Sequence, residues 1–483
     1  MSSKTAHSSH LGSHAVVIGG SMAGLLAARV LTDHFDRVTI IERDLFPEKP
    51  MPRKGVPQSQ HFHGLLMRGR IILEEFFPGL QDELVAAGAP VLDMGADTAW
   101  FTPAGCWAAR FQSGLHTLMC SRDLLDWSIR RRLSAFANVS FLEECNVTGL
   151  LPNSDGMAVI GVSVRFCNQL ERGNTNEEQL YADLVVDASG RASKAFQWLK
   201  ALGYMPPEET VVDASLGYAS RIYQIPSGFR ADWKGIYIHA SPPTCTRTSA
   251  LSPIEGNRWM VSLCGADPDY PPTNEAGFLE FTRGLASPMT YNAIKDAEPI
   301  SSIFSYHAQG NRLRHYERLP RQPEGFVVVG DAVCTFSPIY AQGMTIAALG
   351  AITLDRCLRE ERRAWRGNMV GLARRFQKKL GKVNSVPWLA ATSQDYRYPG
   401  VKGNSKTPGY AERLMQWYMD QVILLAAKNP NVCLVFFEVM HMLKPSAVLF
   451  QPSIFVQVLR QVLISFMFSH LYTQQPLKLS EWK

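Results

Sequence analysis

No CxxC pair occurs in this chain, and its nine cysteines are an odd, scattered set. That argues against a disulfide framework and against a zinc site. One-sided charge is scarce too. The 49 basic and 43 acidic residues leave a net charge of +6, too mild an excess over this length for a nucleic-acid groove. The first 14 residues are Ser- and His-rich and lack an apolar core, so they do not read as a secretory signal. Reduced thiols then fit the cytoplasm best. No stretch approaches the roughly 20 mainly apolar residues of a spanning helix. The best candidate, Ile454 to Leu471, is interrupted by Gln457, Arg460 and Gln461. There is no internal repeat and no low-complexity tract.

What is present is a chain with 46% hydrophobic residues, ample for a sizeable core. Ala15 to Ile18 is a short apolar run closed by Gly19-Gly20, the pattern of a buried parallel strand. Helical spacing follows from Met22 to Leu31, then a second strand from Arg37 to Glu42. Leu184-Val185-Val186 and Phe326 to Val329 repeat the buried-strand pattern far along the chain. Between them, Ser215 to Ile225, Gly235 to His239 and Arg258 to Cys264 read as a second sheet. After Lys382 the composition shifts to long helical stretches.

The first strand ends in Gly19-Gly20-Ser21-Met22-Ala23-Gly24. The dinucleotide-binding turn is GxGxxG, and here Ser21 takes the middle glycine's place. Gly19 permits the tight turn and Gly24 the close packing of helix on strand. Ser21 is small enough to let a pyrophosphate approach, and the helix start offers free amides and partial positive charge. Glu42 lies 18 residues after Gly24, where an acid hydrogen-bonds an adenine ribose. Arg43 adjoins it. A glycine-rich turn with no ligand is the competing interpretation, and the ordered strand, turn, helix, strand and acid weigh against it.

Two further segments are Asp187-Ala188-Ser189-Gly190 and the run from Gly330-Asp331 through Pro338 to Gly343 and Met344. With the first turn, these resemble the motifs of the aromatic-hydroxylase-like, FAD-dependent monooxygenase superfamily, over most of residues 14–380. That superfamily takes in single-component hydroxylases, squalene-epoxidase-like enzymes, geranylgeranyl reductases and flavin-dependent halogenases. Val56 to His63 and Pro387 to Pro399 are similar to stretches of polyether-pathway epoxidases. The resemblance implies an α/β chain: a Rossmann-like FAD-binding domain (14–55, 120–205 and 320–382), an inserted mixed-sheet substrate domain (56–119 and 206–319) and a helical C-terminal region (383–483). It implies that Asp331 accepts hydrogen bonds from the ribityl chain, that Pro338 sets a turn, and that the amides of Gly343 and Met344 face the flavin, where a helix start stabilises negative charge. It also implies that Arg122 and Arg53 contact the cofactor, with the backbone of Val147 at the adenine.

The implied chemistry is epoxidation or hydroxylation of a lipophilic, secondary-metabolite-like substrate by O2 through a flavin C4a-hydroperoxide. A prenyl reductase, a halogenase, or a flavin-binding protein with a cyclase or structural role are the alternatives. No second GxGxxG opens a βαβ unit, so NAD(P)H either binds transiently or delivers electrons through a separate reductase. The lysine motif and Trp-x-Trp-x-Ile-Pro segment of tryptophan halogenases are absent. No catalytic side chain is singled out, because the cofactor carries the hard chemistry. His61 and His63 lack a third ligand for a metal, so none is expected. Cys334 reads as a buried thiol. The C-terminal helices are expected over the substrate cavity or on a membrane surface.

Overall fold

The computed structural model describes residues 10–167, 177–307, 310–364, 369–405 and 407–473, with side chains to 466. Its organising layer is a five-stranded, all-parallel sheet in the order Phe326–Val328, Leu184–Asp187, Gly12–Ile18, Phe35–Ile41, Val139–Leu142. The central strand is apolar and almost fully buried from Ala15 to Ile18 because its neighbours cover both edges and helices cover both faces. Helix Met22–Leu31 lies against helix Gly343–Arg363, so two helix starts far apart in sequence end on one side of the sheet. This is the Rossmann-like α/β architecture expected.

A six-stranded mixed sheet forms the second layer, in the order Phe304–His307, Leu216–Gln224, Arg258–Ala266, Thr248–Ile254, Gly235–Ile238, Thr98–Phe101. Alternation along Leu216–Gln224 divides its faces. Tyr223 points outward to Phe278, Trp259 and the helices Glu275–Arg283 and Met289–Ile294. Tyr218 points inward, where its hydroxyl meets Ser337 at 2.8 Å. Strand Thr248–Ile254 had no alternating signal, and Pro253 within it obscures the pattern further. A three-stranded antiparallel sheet (Cys145–Pro152, Val159–Phe166, Glu178–Tyr181) carries Val147 on its first strand, which was expected; its second and third strands escaped the sequence reading.

The C-terminal part is helical, as expected, but one helix, Leu372–Asp395, runs through the composition shift at 382. Helices Tyr410–Ala426, Pro430–Met440 and Pro452–Thr473 pack onto the edge of the six-stranded sheet. There Trp100 stacks on Phe436 with ring centroids 5.6 Å apart. The last helix buries Ile454 and Val458 and exposes Phe455, Val456, Leu459 and Leu463. Among the described residues, no helix is long and apolar enough to cross a membrane.

A Cβ at position 24 would lie 1.7 Å from the carbonyl oxygen of Gly19, a distance no local adjustment absorbs. Gly24→Ala is therefore expected to cost at least about 3 kcal/mol in chemical denaturation, the upper range for overpacking. Gly149→Ala, with no heavy atom of the described residues within 4 Å of its Cβ position, should change stability by less than about 0.5 kcal/mol. Equal effects at the two positions would contradict the packing described.

Candidate FAD site

The glycine turn is held open by its own neighbours. Gly19 sits at φ +100°, a region that favours glycine. The Glu42 carboxylate is buried and grips the turn. One oxygen accepts from the Gly20 amide at 2.8 Å, and the other accepts from the amides of Arg43 and Asp44. Ser21 is the N-cap of helix Met22–Leu31, yet its hydroxyl makes no cap bond. It accepts instead from Arg122 Nη2 at 2.9 Å. Met22 and Ala23 form the helix's first turn, leaving its leading amides available to an anion.

Two arginines converge here. Arg122, 6% exposed, opens helix Arg122–Leu133 and is held by Asp126 at 2.7 Å. Arg53 donates to the Gly20 carbonyl at 3.1 Å, and its Nη1 lies 3.2 Å from Glu42. Among the described residues that buried Nη1 has no aligned hydrogen-bond partner, an unmet donor of the kind a phosphate oxygen satisfies. Phe46 was not anticipated. Its ring lies against Gly20, between the guanidinium groups of Arg53 and Arg130 at 4.8 and 4.9 Å from the ring centroid. Arg130 is thus packed into the site. Gly20, Phe46, Arg53, Asp126 and Arg130 line an open cleft beside the turn. Arg43 is exposed at the rim, 3.5 Å from the Gly55 carbonyl. Val147 is half-buried in its strand, where the register slips between Val147 and Gly149.

Gly330 joins the two ends of the site. It adopts φ +62°, and a Cβ on it would come 2.6 Å from Ala23 Cβ. This close approach sets Asp331 beside the first helix start. Burial raises the Asp331 pKa, while Arg122 and Arg191 oppose that rise. Asp331 Oδ1 also lies 4.0 Å from the Cβ position of Gly343, at the second helix start. Here Gln342 makes no cap bond, and Gln342 Oε1 and Thr345 Oγ1 are buried without partners among the described residues. Pro338 opens the single turn Pro338–Tyr340, after which Ala341 takes a left-handed φ of +50° and Met344 is buried. Turn, Arg122, Asp331 and Gly343 therefore form one continuous line. It offers anion donors at one end and unmet polar atoms at the other, and these residues fit FAD.

The inner face of the six-stranded sheet lies across from the second helix start. His61 Nδ1 contacts Ser220 Oγ at 2.8 Å, and Ser220 and Ser262 share a 2.5 Å hydrogen bond. Burial lowers the pKa of His61 to about 4 and, with Arg122, that of His63 to about 3, so both rings are neutral near pH 7. No group of three or more metal-ligating side chains occurs among the described residues. Cys334 is buried, and burial holds its thiol in the protonated form.

Replacing Arg122 with Met, or Asp331 with Ala, removes one charged hydrogen-bond partner, worth about 1.5–3 kcal/mol. FAD fluorescence titration should show affinity weakened about tenfold or more in each variant. Unchanged affinity in both would displace the cofactor from this line.

The FAD binding domain family profile matches residues 13–370. The chain is 35% identical to Protein Rv3254 of Mycobacterium tuberculosis over 446 residues, 86% of this chain and 87% of that protein. Among solved structures it resembles CmlS, a flavin-dependent halogenase, with TM-score 0.62 and 18% identity, covering 88% of this chain and 76% of that one. It also resembles PqsL, a probable FAD-dependent monooxygenase from Pseudomonas aeruginosa, with TM-score 0.58 and 16% identity, covering 80% and 94%. Those two likenesses speak to the fold. By the extent of the family match and the Rv3254 identity, this chain belongs to the FAD binding domain family of aromatic-hydroxylase-like flavoenzymes.

Proposed function

We propose that the protein is an FAD-dependent monooxygenase that transfers one oxygen atom from O2 to a lipophilic substrate, by epoxidation or hydroxylation. The observation that supports it most is the surface facing the Pro338–Gly343 turn. Tyr218 and Ile339 pack there with Tyr306, Cys264 and Tyr398. Beyond them, Phe62 approaches Tyr237 at 5.8 Å, and Trp100 is sealed by Phe436 and Phe437 of the C-terminal helices. An aromatic wall with a few polar atoms, Ser220, Ser262 and His61, suits an apolar ligand oriented by one or two hydrogen bonds.

The chemistry FAD would supply when bound here is activation of O2. The protein's own part is binding, orientation and exclusion of water. Arg122, Arg53 and the amides at 21–24 would hold the pyrophosphate. Asp331 would hold the ribityl hydroxyls, and the start of helix Gly343–Arg363 would stabilise charge on the ring's pyrimidine edge. Neutral His61 can accept or donate a hydrogen bond to substrate without placing a cation in the apolar wall. Electrons would come from NAD(P)H, directly or through a separate reductase.

Incubation with a reductant, isotopically heavy O2 and a panel of terpenoid, polyketide and aromatic compounds tests this reading. One heavy oxygen per product molecule is expected, with no dependence on halide. Halogenated product in the presence of bromide or chloride, or saturation of an alkene without O2, would replace it.

The exposed row Phe455, Val456, Leu459 and Leu463 is assigned, in the same reading, to a lipid surface from which an apolar substrate enters. Co-sedimentation with anionic vesicles should fall when Leu459 and Leu463 are replaced by Glu. Equal sedimentation of that variant would contradict the assignment.

A further inference from the structure

The stretch Pro387 to Pro399 ends helix Leu372–Asp395, and its aspartate points back into the protein. Asp395 has no solvent exposure. One carboxylate oxygen accepts a short hydrogen bond from the Tyr340 hydroxyl, and the other accepts from Asn311 Nδ2 at 2.6 Å. Asn311 Oδ1 in turn accepts from the Ser337 amide at 2.7 Å. The Ser337 hydroxyl meets Tyr218, whose oxygen also accepts from the Ile339 amide at 3.3 Å. The carboxylate thus stands directly behind the Ser337–Ala341 segment, and Tyr340, itself part of that segment, is the turn side chain whose hydroxyl meets it. The rest of the motif anchors this arrangement. Arg397 pairs with Asp420 at 2.7 Å and with the Gln416 carbonyl, and Tyr398 packs beneath Tyr218 and Cys264.

We propose that Asp395 and Tyr340 form a proton relay serving the face of the Ser337–Ala341 turn, with Asp395 as the proton store and Tyr340 as the conduit. It rests on the reading that the flavin ring and substrate lie against this turn. In the forward step the Asp395 O–H bond breaks as its proton passes to the Tyr340 oxygen, and the Tyr340 O–H proton passes to a basic oxygen at the turn's open face. The pair ends as Asp395 carboxylate with Tyr340 neutral, and a solvent proton reloads it along the same path. No cation is placed in the apolar wall at any point.

The surroundings suit a store that exchanges near neutrality. Burial, with Asp213 as a nearby like charge, pushes the Asp395 carboxyl up to about 7 against the hydrogen bond from Tyr340. The other titratable groups around it are Tyr340 on the turn, Tyr218 and Cys264 on the sheet and Tyr398 after the helix. All four are held neutral chiefly by burial. Because the folded protein keeps a proton that an unfolded carboxylate releases, this group's contribution to stability is lost as pH rises from the ordinary carboxylate range through about 7.

Infrared difference spectra of the protein without added FAD, taken on either side of pH 7, should contain a protonated-carboxyl band. The component from Asp395 should be lost in Asp395→Asn and shifted in Tyr340→Phe, with any component from Asp187, Asp331 or Asp123 retained. The fall in melting temperature across the same interval should flatten in Asp395→Asn. In the FAD-loaded protein, flavin fluorescence should titrate with a midpoint near 7, and that step should vanish in both variants while FAD is still bound. A carboxyl band unchanged in Asp395→Asn, or a flavin titration that survives in Tyr340→Phe, overturns the relay. Should Asp395→Asn not fold, Tyr340→Phe, which leaves the Asn311 bond intact, decides through its infrared shift and its flavin titration. Failure of wild-type protein to bind FAD overturns the cofactor reading instead, and the infrared result still stands on its own.

Discussion

The contact between Gly24 and the carbonyl of Gly19 is the constraint on which the site depends. With only a hydrogen at position 24, the first helix starts directly on top of the strand that feeds it. Its leading amides then point into the cleft rather than toward a covering side chain. The Glu42 carboxylate stabilises the same turn by accepting from the Gly20 amide, and Arg53 balances that buried charge. The turn is therefore prepared for an anion by the fold itself, before any ligand arrives.

A second close approach, Gly330 against Ala23, carries the site from one end of the chain to the other. It brings Asp331 under the influence of Arg122 and sets the start of helix Gly343–Arg363 alongside the start of helix Met22–Leu31. Two helix starts with an aspartate between them make a line of fixed dipoles and charges. The six-stranded sheet is tied to that line by Tyr218 on Ser337, and the C-terminal helices close over the sheet through Trp100 and Phe436.

The parallel sheet and the glycine turn were legible in the sequence because their signals are local. Apolar runs such as Ala15 to Ile18 mark buried strands, and the spacing from Gly19 to Glu42 marks the turn. Phe46 and Arg130 were not legible, since an aromatic ring beside two guanidinium groups is assembled from two distant segments, the loop with Phe46 and Arg53 and the helix Arg122–Leu133. Likewise, Asp395 lies in the Pro387 to Pro399 stretch with no role of its own legible until Asn311 and Tyr340 are seen to meet it. Strand Glu209–Asp213 is short, and what fixes it is pairing with Asn311–Arg314, about a hundred residues away. The composition shift after Lys382 marks no element boundary, since helix Leu372–Asp395 crosses it unbroken.

The central claim is that one FAD lies along this line, pyrophosphate at the glycine turn and ring at the second helix start. A crystal structure of the FAD complex tests it most directly. The account predicts the pyrophosphate on the amides of residues 21–24 and on Arg122, the ribityl chain on Asp331, and the ring against Pro338 to Met344. A flavin bound elsewhere, or reversed along the line with its adenine at Pro338, would contradict it.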